Sequence, residues 1–96
     1  MLVLITYDVE TVSKEGQRRL RRVSKLCVDY GQRVQNSVFE CFLDYAQYLK
    51  LKNQLIKEID EKQDSLRFYI LGNSWDRKVE HFGKTPEFTP NDTLII

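Results

Sequence analysis

The chain has 96 residues, of which 42% are hydrophobic and 30% charged, and its formal net charge is +1. This length accommodates one domain, and the composition is typical of a globular protein rather than a disordered one. No apolar run approaches the ~20 residues that a membrane-spanning helix requires, and residues 2–7 are too few for a secretory signal. We therefore predict a cytoplasmic protein with no membrane segment.

The chain contains two cysteines, Cys27 and Cys41. They do not form a CxxC pair, and no histidine or cysteine lies at the spacing of zinc ligands. Cytoplasmic thiols are kept reduced, and most isolated cysteines behave as small hydrophobic side chains. We expect both to lie in the core.

Positive charge is concentrated in residues 14–33. This segment carries seven basic residues against two acidic ones, a net charge of +5, which leaves −4 on the other 76 residues. One element is therefore strongly basic while the rest of the chain is mildly acidic, and this distribution is more informative than the total.

The first predicted elements are a strand and a helix. Residues 2–7 form a short apolar run, which predicts a strand covered on both faces. A loop follows at 8–13, in which Ser13 is the predicted helix N-cap. Apolar residues at spacings of three and four predict a helix over 14–30, and Gly31 lies just beyond its end. These apolar positions are Leu20, Val23, Cys27 and Tyr30.

The middle of the chain predicts more strand structure and a second helix. Residues 32–43 have strand character but exceed the usual ~5–6 residues. The Asn-Ser pair at 36–37 indicates either a tight turn between two strands or a sharp bend in one. Asp44 and Gln47 form a predicted capping box, and the helix that follows runs to about Asp60. Its predicted buried positions are Tyr48, Leu51, Leu55 and Ile59.

The order of elements predicts the fold class. Residues 65–71 predict a strand and 79–82 a shorter one. The predicted order is strand, helix, one or two strands, helix and strand, which is the βαββαβ pattern of the ferredoxin-like fold. This fold is an α+β sandwich in which two helices cover one face of an antiparallel sheet. The other face has no helix to cover it. Since the first strand is apolar on both sides, we expect a second subunit there and hence a homodimer.

The C-terminal end is less regular. Residues 84–92 carry both prolines and form a predicted connecting arm. The apolar residues 93–96 are expected to pair with a sheet edge, in the same chain or in a partner. We therefore divide the chain into a ferredoxin-like domain at 1–83 and a C-terminal arm and strand at 84–96.

Asp8 follows the first predicted strand, and alternation places it on one face with Leu2, Leu4 and Thr6. An aspartate here is either a turn former or a functional group, and the pattern alone favours the turn former. Two copies of Asp8 at a two-fold axis would, however, supply the carboxylates through which Mg²⁺ commonly binds, together with waters and phosphate oxygens. Such a metal could polarise a phosphodiester and activate a water.

The basic segment supplies candidate nucleic-acid contacts. A charge run on a helix is often only a solvated surface, but six cations against one acid in residues 14–25 exceed what solubility requires. Such a cluster could hold a phosphate backbone without reading its sequence. The spacing does not show which of its members touch phosphate. The candidate residues are Lys14, Arg18, Arg19, Arg22, Lys25 and Arg33.

Other residues offer no catalytic constellation. The single histidine, His81, has no partner pattern from which a triad could be built, and the four glycines are too scattered for a phosphate loop. Phe68, Tyr69 and Trp75 are predicted core or interface residues rather than a platform on which bases stack.

Four segments occur in order: LVLITYD at 2–8, RRLRR at 18–22, GQRVQNSVFE at 31–40 and SLRFYILG at 65–72. Together they resemble the family of the small CRISPR-associated protein numbered two, the partner of the integrase in spacer acquisition. The third segment is similar to the subtype I-C branch. The resemblance covers nearly the whole chain.

The resemblance implies a ferredoxin-like homodimer whose C-terminal strand, here 93–96, packs on the partner's sheet. It implies that Asp8 is the metal-binding and catalytic residue, facing its copy across the dimer. It further implies a Mg²⁺-dependent endonuclease, with Mn²⁺ as an alternative cofactor, that cleaves RNA or double-stranded DNA in CRISPR antiviral defence. The implied partners are the integrase and the nucleic acid.

Three functions are therefore compatible with the sequence. In the first, the protein is a Mg²⁺-dependent phosphodiester hydrolase. In the second, it is a non-catalytic scaffold that binds duplex DNA and the integrase, with a vestigial metal site. In the third, it is a ribonuclease toxin of the related virulence-associated family, which shares the fold.

Overall fold

The computed structural model describes residues 1–71 and 78–84. Within them the elements follow the predicted order. They are β1 (Leu2–Asp8), α1 (Lys14–Tyr30), β2 (Gln32–Gln35), β3 (Val38–Phe42), α2 (Tyr45–Glu58), β4 (Ser65–Leu71) and β5 (Lys78–Gly83). Trp75 and the predicted arm and strand beyond Lys84 lie outside the described residues, so the division at 83/84 stays a prediction.

The five strands form one antiparallel sheet in the order β2-β3-β1-β4-β5. β1 lies at its centre, where Ile5 is paired with Phe39 of β3 on one side and with Phe68 of β4 on the other. Two helices and an antiparallel sheet in this order confirm the predicted ferredoxin-like α+β fold.

Residues 32–43 form a hairpin rather than one bent strand. β2 and β3 are joined by a turn at 36–37, and their register shifts between Arg33 and Gln35. Of the two alternatives that the sequence left open, the tight turn is therefore the correct one, and the irregular register lies beside it.

The helix ends follow the local signals in the sequence. The Ser13 side chain accepts a hydrogen bond from the backbone N–H of Gly16 at the start of α1. In α2 the predicted capping box is complete, because Asp44 and Gln47 each accept from the other's backbone N–H, at 2.7 and 2.9 Å. α2 ends at Glu58, two residues before its predicted end.

The core lies between the helices and one face of the sheet. Val3 and Ile5 of β1 are fully buried there, as are Val23 of α1 and Leu51 and Leu55 of α2. No described helix covers the opposite face, where Leu2 and Leu4 are partly exposed. In the described residues no helix is long and apolar enough to cross a membrane.

Gly31 follows α1 directly, as predicted, and its N–H donates to the carbonyl of Cys27. Its φ of −157° is extended backbone that any residue adopts, so a left-handed turn is not the reason for glycine. A Cβ at this position would lie 2.3 Å from Sγ of Cys41 and 2.6 Å from the carbonyl oxygen of Glu40. Glycine is required because the helix end lies directly against β3.

We expect Gly31→Ala to lower the free energy of unfolding by about 1–3 kcal/mol, because the added methyl group overpacks a tight contact. Urea unfolding monitored by circular dichroism measures the loss. Asp29→Ala, at an exposed site in the last turn of the same helix, is the control and should change stability by less than ~0.5 kcal/mol. Equal stability of Gly31→Ala and wild type would contradict the steric explanation.

Candidate metal and nucleic-acid site

Asp8 is the last residue of β1, and the alternation of the strand exposes it. Val3, Ile5 and Tyr7 point into the core, while Asp8 lies on the opposite face and is exposed. It pairs across the sheet with Ser65, the first residue of β4. Within the described residues its carboxylate makes no hydrogen bond or ion pair, so it is available to a ligand.

The sheet face that carries Asp8 is apolar at the opposite end of β1. Leu2 lies between Phe42 of β3 and Leu71 of β4 on this face. Phe42 is 76% exposed and Val79 of β5 is 47% exposed. No described element covers these side chains, which agrees with the predicted uncovered face.

The loop between β1 and α1 is held by hydrogen bonds around Glu10. Its carboxylate accepts from the N–H of Ser13 at 2.6 Å and from the Ser13 hydroxyl at 2.9 Å. The bond from the Ser13 N–H lowers the pKa of Glu10. A Cβ on Gly16 would lie 1.9 Å from the Glu10 carbonyl oxygen. The loop therefore lies directly on the first turn of α1.

Asp64 has the central position beneath this loop. Its side chain is fully buried and accepts four hydrogen bonds. The N–H of Glu10 donates at 3.0 Å and that of Asp60 at 2.8 Å. The Arg19 guanidinium donates twice, from Nε at 2.8 Å and from a terminal nitrogen at 3.3 Å. Burial alone would raise the pKa of Asp64, but these donors together lower it.

Arg19 is therefore engaged inside the fold. Its side chain is 14% exposed, and besides Asp64 it lies 3.5 Å from the carboxylate of Glu10. The hydrogen bond to Asp64 raises the pKa of Arg19. Of the predicted phosphate-binding residues, Arg19 is the one that the structure turns toward other residues of the chain rather than toward solvent.

Four cations form an exposed row on α1, which we call the basic stripe. They recur at spacings of four, three and four, and all are exposed. From the first to the last the stripe spans about 16 Å along the helix axis. Its members are Lys14, Arg18, Arg21 and Lys25.

Arg21 was not among the predicted phosphate-binding residues, although its helical spacing places it in the basic stripe. It follows Arg18 by three residues and precedes Lys25 by four, on the side of the helix opposite the buried Val23. Arg22, which was predicted, is 62% exposed and lies 3.7 Å from Glu58 of α2. This exposed pair restrains Arg22 only weakly.

Arg33 lies apart from the stripe, on β2. Its guanidinium is 4.8 Å from the ring centroid of Phe39 and donates to the carbonyl of Asn36 at 2.6 Å. Tyr7 stacks on the same Phe39 ring, and its hydroxyl is 2.7 Å from Oγ of Ser24. This cluster fixes the β2–β3 turn against β1 and leaves the rest of the Arg33 guanidinium to solvent.

The structure brings Asp8 and the basic stripe to different sides of the molecule. The helices cover the face of the sheet opposite to Asp8, and the stripe points outward from that helix layer. The chain turns from β1 into α1 at this end, so Lys14 begins the helix only six residues after Asp8. The later members of the stripe lie progressively further along the helix.

The remaining candidates form no further metal-ligand group within the described residues. Cys27 and Cys41 are buried free thiols, as expected, and burial raises their pKa to about 12 and about 11. His81 lies on β5 with its Nε2 2.9 Å from the carbonyl oxygen of Lys84. Across residues 1–71 and 78–84, no three histidine, cysteine or acidic side chains group as metal ligands.

This chain is similar to known proteins that are described as Cas2. The family model for CRISPR associated protein Cas2 matches residues 1–79. The CRISPR-associated endoribonuclease Cas2 of Nitratidesulfovibrio vulgaris is 57% identical over 96 residues, covering 100% of this chain and 94% of that protein. The CRISPR-associated endonuclease Cas2 of Halalkalibacterium halodurans is 58% identical over 96 residues, covering 100% of both.

Solved structures agree with this result. The crystal structure of Streptococcus pyogenes Cas2 at pH 6.5 superposes with a TM-score of 0.70 and 60% identity, covering 78% of this chain and 90% of that chain. A second Cas2 crystal structure superposes with a TM-score of 0.63 and 37% identity over 93% of this chain and 95% of the other. The fold is thus shared with Cas2 proteins along most of the chain.

Asp64→Asn should lower the free energy of unfolding at neutral pH by roughly 3 kcal/mol, because one partner of a buried ion pair loses its charge. The folded pKa of Asp64 lies below its unfolded value of 3.8, so its stabilisation is complete above about pH 5 and is lost as the pH falls through the folded pKa. Urea unfolding of both proteins across this range measures the difference.

The control is Glu58→Gln, which removes the partly exposed α2 partner of Arg22 on α1. It should cost less than ~1 kcal/mol at any pH. A difference between wild type and Asp64→Asn that does not shrink on acidification would contradict the proposed role of the Asp64 charge.

Proposed function

The chain belongs to the CRISPR-associated protein Cas2 family, and from this premise we propose that it is a metal-dependent endonuclease of CRISPR adaptation. The observation that carries the proposal is the carboxylate of Asp8, exposed and unpaired within the described residues, at the end of the central strand on a sheet face that no described helix covers. Relatives named endoribonuclease and endonuclease support the activity.

The proposed functional unit is a homodimer. Burying exposed apolar groups such as Phe42 and Val79 against a second copy would remove them from water, at about 25 cal/mol per Å². A two-fold contact through this face joins the same surface of both subunits. It would bring together the sheet faces on which the two Asp8 carboxylates lie. The C-terminal residues 93–96 are proposed to pair with the partner's sheet.

A divalent metal fits this arrangement. One chain offers a single exposed carboxylate at the strand end, whereas Mg²⁺ commonly binds through one or two carboxylates, with waters and phosphate oxygens as its other ligands. Two copies of Asp8 would complete such a set, and Mn²⁺ could replace Mg²⁺. When bound, the metal would polarise a phosphodiester and lower the pKa of a water. The role of Asp8 is to hold it.

The basic stripe is proposed to bind the phosphate backbone. With Arg22 and Arg33 in addition, it supplies charge without a means of reading bases. The substrate is accordingly RNA or double-stranded DNA chosen by shape and charge. The engaged position of Arg19 makes it a poor phosphate contact, and Arg21 takes its place in the proposed set.

A scaffold function is the second candidate, and one observation favours it. The basic stripe lies on the outer side of the helix layer, whereas Asp8 lies on the opposite sheet face. Duplex DNA could therefore be held by α1, and an integrase bound by the dimer, without involving Asp8. The family assignment leaves the toxin alternative without support, and membership of subtype I-C stays a prediction.

We expect Asp8→Asn to lower Mg²⁺-dependent cleavage by at least ~100-fold, a typical cost of removing one charge-stabilising group, while nucleic-acid affinity is retained. Cleavage of labelled RNA and duplex DNA with Mg²⁺, Mn²⁺ or EDTA measures this. Asp29→Asn, an exposed aspartate at the other end of α1, is the control. Intact cleavage by Asp8→Asn would eliminate the enzyme proposal.

Two further measurements separate the candidates. Light scattering should show a dimer for wild type and Asp8→Asn, and a monomer at micromolar concentration would contradict the shared metal site. Spacer acquisition in cells carrying the CRISPR array and integrase should fall with Asp8→Asn if cleavage matters, and unchanged acquisition would favour the scaffold.

Replacing three members of the stripe by alanine, Arg18, Arg21 and Lys25, should weaken nucleic-acid binding regardless of sequence. The slope of log affinity against log salt should become shallower by about three, since each phosphate contact contributes about one. Fluorescence anisotropy at several salt concentrations measures it. The control removes the same charge from exposed positions elsewhere, with alanine at Lys50, Lys57 and Lys62. Equal slopes in the two triple variants would overturn the role of the stripe.

A further inference from the structure

We propose that Asp64 is a positioning residue for Asp8. The buried Asp64 carboxylate fixes the backbone segment that carries Asp8 and so determines where the Asp8 carboxylate stands. This inference rests on the proposed function, since it concerns the same site, but it assigns a role to a residue that itself touches neither substrate nor metal.

Asp8 depends on its backbone for its position. Its side chain is exposed and makes no hydrogen bond or ion pair within the described residues, so no neighbouring group orients it. Its strand ends with the pair between Asp8 and Ser65, and Ser65 is the residue directly after Asp64. The chain then leaves the sheet at Val9 and Glu10.

Asp64 binds two neighbouring segments at this end of the sheet, one through its side chain and one through its backbone. Its Oδ1 accepts the N–H of Glu10, two residues beyond Asp8, at 3.0 Å. Its own carbonyl accepts the N–H of Lys84 at 2.7 Å, where β5 ends beside Ser65. The segment from Asp8 to Glu10 is thus attached to the start of β4 by a ladder pair and by a carboxylate bond.

The position of Asp64 is in turn determined by two other elements. Arg19 of α1 donates to both carboxylate oxygens, and the N–H of Asp60, after α2, donates to Oδ2. The carboxylate is fully buried, so each donor replaces a water that it would otherwise bind. Asp64 therefore joins both helices to the loop beside Asp8.

A second contact limits the loop from the other side. The carbonyl oxygen of Glu10 lies so close to Gly16 that a Cβ there would approach it to 1.9 Å. Glu10 is consequently held between Asp64 and the first turn of α1. Loss of the Asp64 acceptor would free the Glu10 N–H while leaving the strand pairing of β1 in place. The expected consequence is movement at Asp8 rather than loss of the fold.

The experiment compares wild type, Asp64→Asn and Asp64→Ala with a destabilised control, Leu55→Ala. Asparagine keeps one acceptor oxygen for Glu10, whereas alanine keeps none, so the structure predicts graded effects on Asp8. Leu55 is a fully buried core residue of α2, and its truncation destabilises the protein without removing any hydrogen bond of Asp64. All variants are measured as full-length dimers at a temperature at which each is folded.

Three readouts apply to each variant. The first is kcat and KM for Mg²⁺-dependent cleavage, the second is Mn²⁺ affinity by electron paramagnetic resonance, and the third is the NMR order parameter of the amides at 8–13. For Asp64→Ala we expect kcat and Mn²⁺ affinity to fall by ~10–100-fold, as for other groups that orient a ligand. KM should stay within ~2-fold. The kcat and the Mn²⁺ affinity of Asp64→Asn should lie between those of Asp64→Ala and wild type.

The backbone order parameters of residues 8–13 should fall from ~0.85 to below ~0.6 in Asp64→Ala, which indicates a flexible loop. In Leu55→Ala they should stay near ~0.85. Leu55→Ala should retain the wild-type kcat. A kcat loss in Leu55→Ala equal to that in Asp64→Ala would show that the effect is only structural and would overturn the proposal. So would unchanged Mn²⁺ affinity in Asp64→Ala.

The measurements distinguish a failure of the proposed function from a failure of the proposed role of Asp64. If wild type itself shows no metal-dependent cleavage, the enzyme proposal falls, and the Mn²⁺ affinities and order parameters still decide the role of Asp64. Lower affinity together with a mobile loop in Asp64→Ala would support it. A rigid loop, or wild-type protein that binds no Mn²⁺, would overturn it.

Discussion

The buried charge of Asp64 is the constraint on which one end of the molecule depends. A carboxylate removed from water is unfavourable unless it is paired and fully hydrogen-bonded, and Asp64 meets this condition with donors from three separate segments. Each segment must therefore be in place for the others to be stable. Glu10 brings the loop after β1, Arg19 brings α1, and Asp60 brings the chain that leaves α2.

A second constraint is the alternation of β1. The strand lies at the centre of the sheet, so Val3, Ile5 and Tyr7 must face the helices. Since alternate residues face opposite sides, Asp8 is necessarily exposed on the uncovered face, and a register shift of one residue would bury it instead. The fold and the candidate site thus follow from the same pattern, because the residues that build the core also direct Asp8 away from it.

Local patterns in the sequence predicted most of the fold, and long-range partners explain what they missed. Both helices and their caps were predicted from residues three or four apart in the chain. The face on which each strand residue lies was predicted from the alternation of side chains along the strand. The role of Arg19 could not be found this way, because Asp64 lies 45 residues away and resembles the other acids after α2. Arg21 was accessible from helical spacing. The place of Asp8 at the end of an apolar strand by itself favoured a turn former, and the family resemblance made Asp8 the candidate metal ligand.

The separation of Asp8 from the basic stripe bears on how the two proposed functions relate. In the proposed dimer the Asp8 residues approach the contact between the open sheet faces, while the stripes on both copies of α1 face outward. A nucleic acid that lay only along one stripe would therefore not reach the paired carboxylates. Lys14 and Arg18, at the start of α1, are the stripe members nearest along the chain to Asp8. Binding and cleavage would use different surfaces, so a protein of this fold could lose one activity and keep the other.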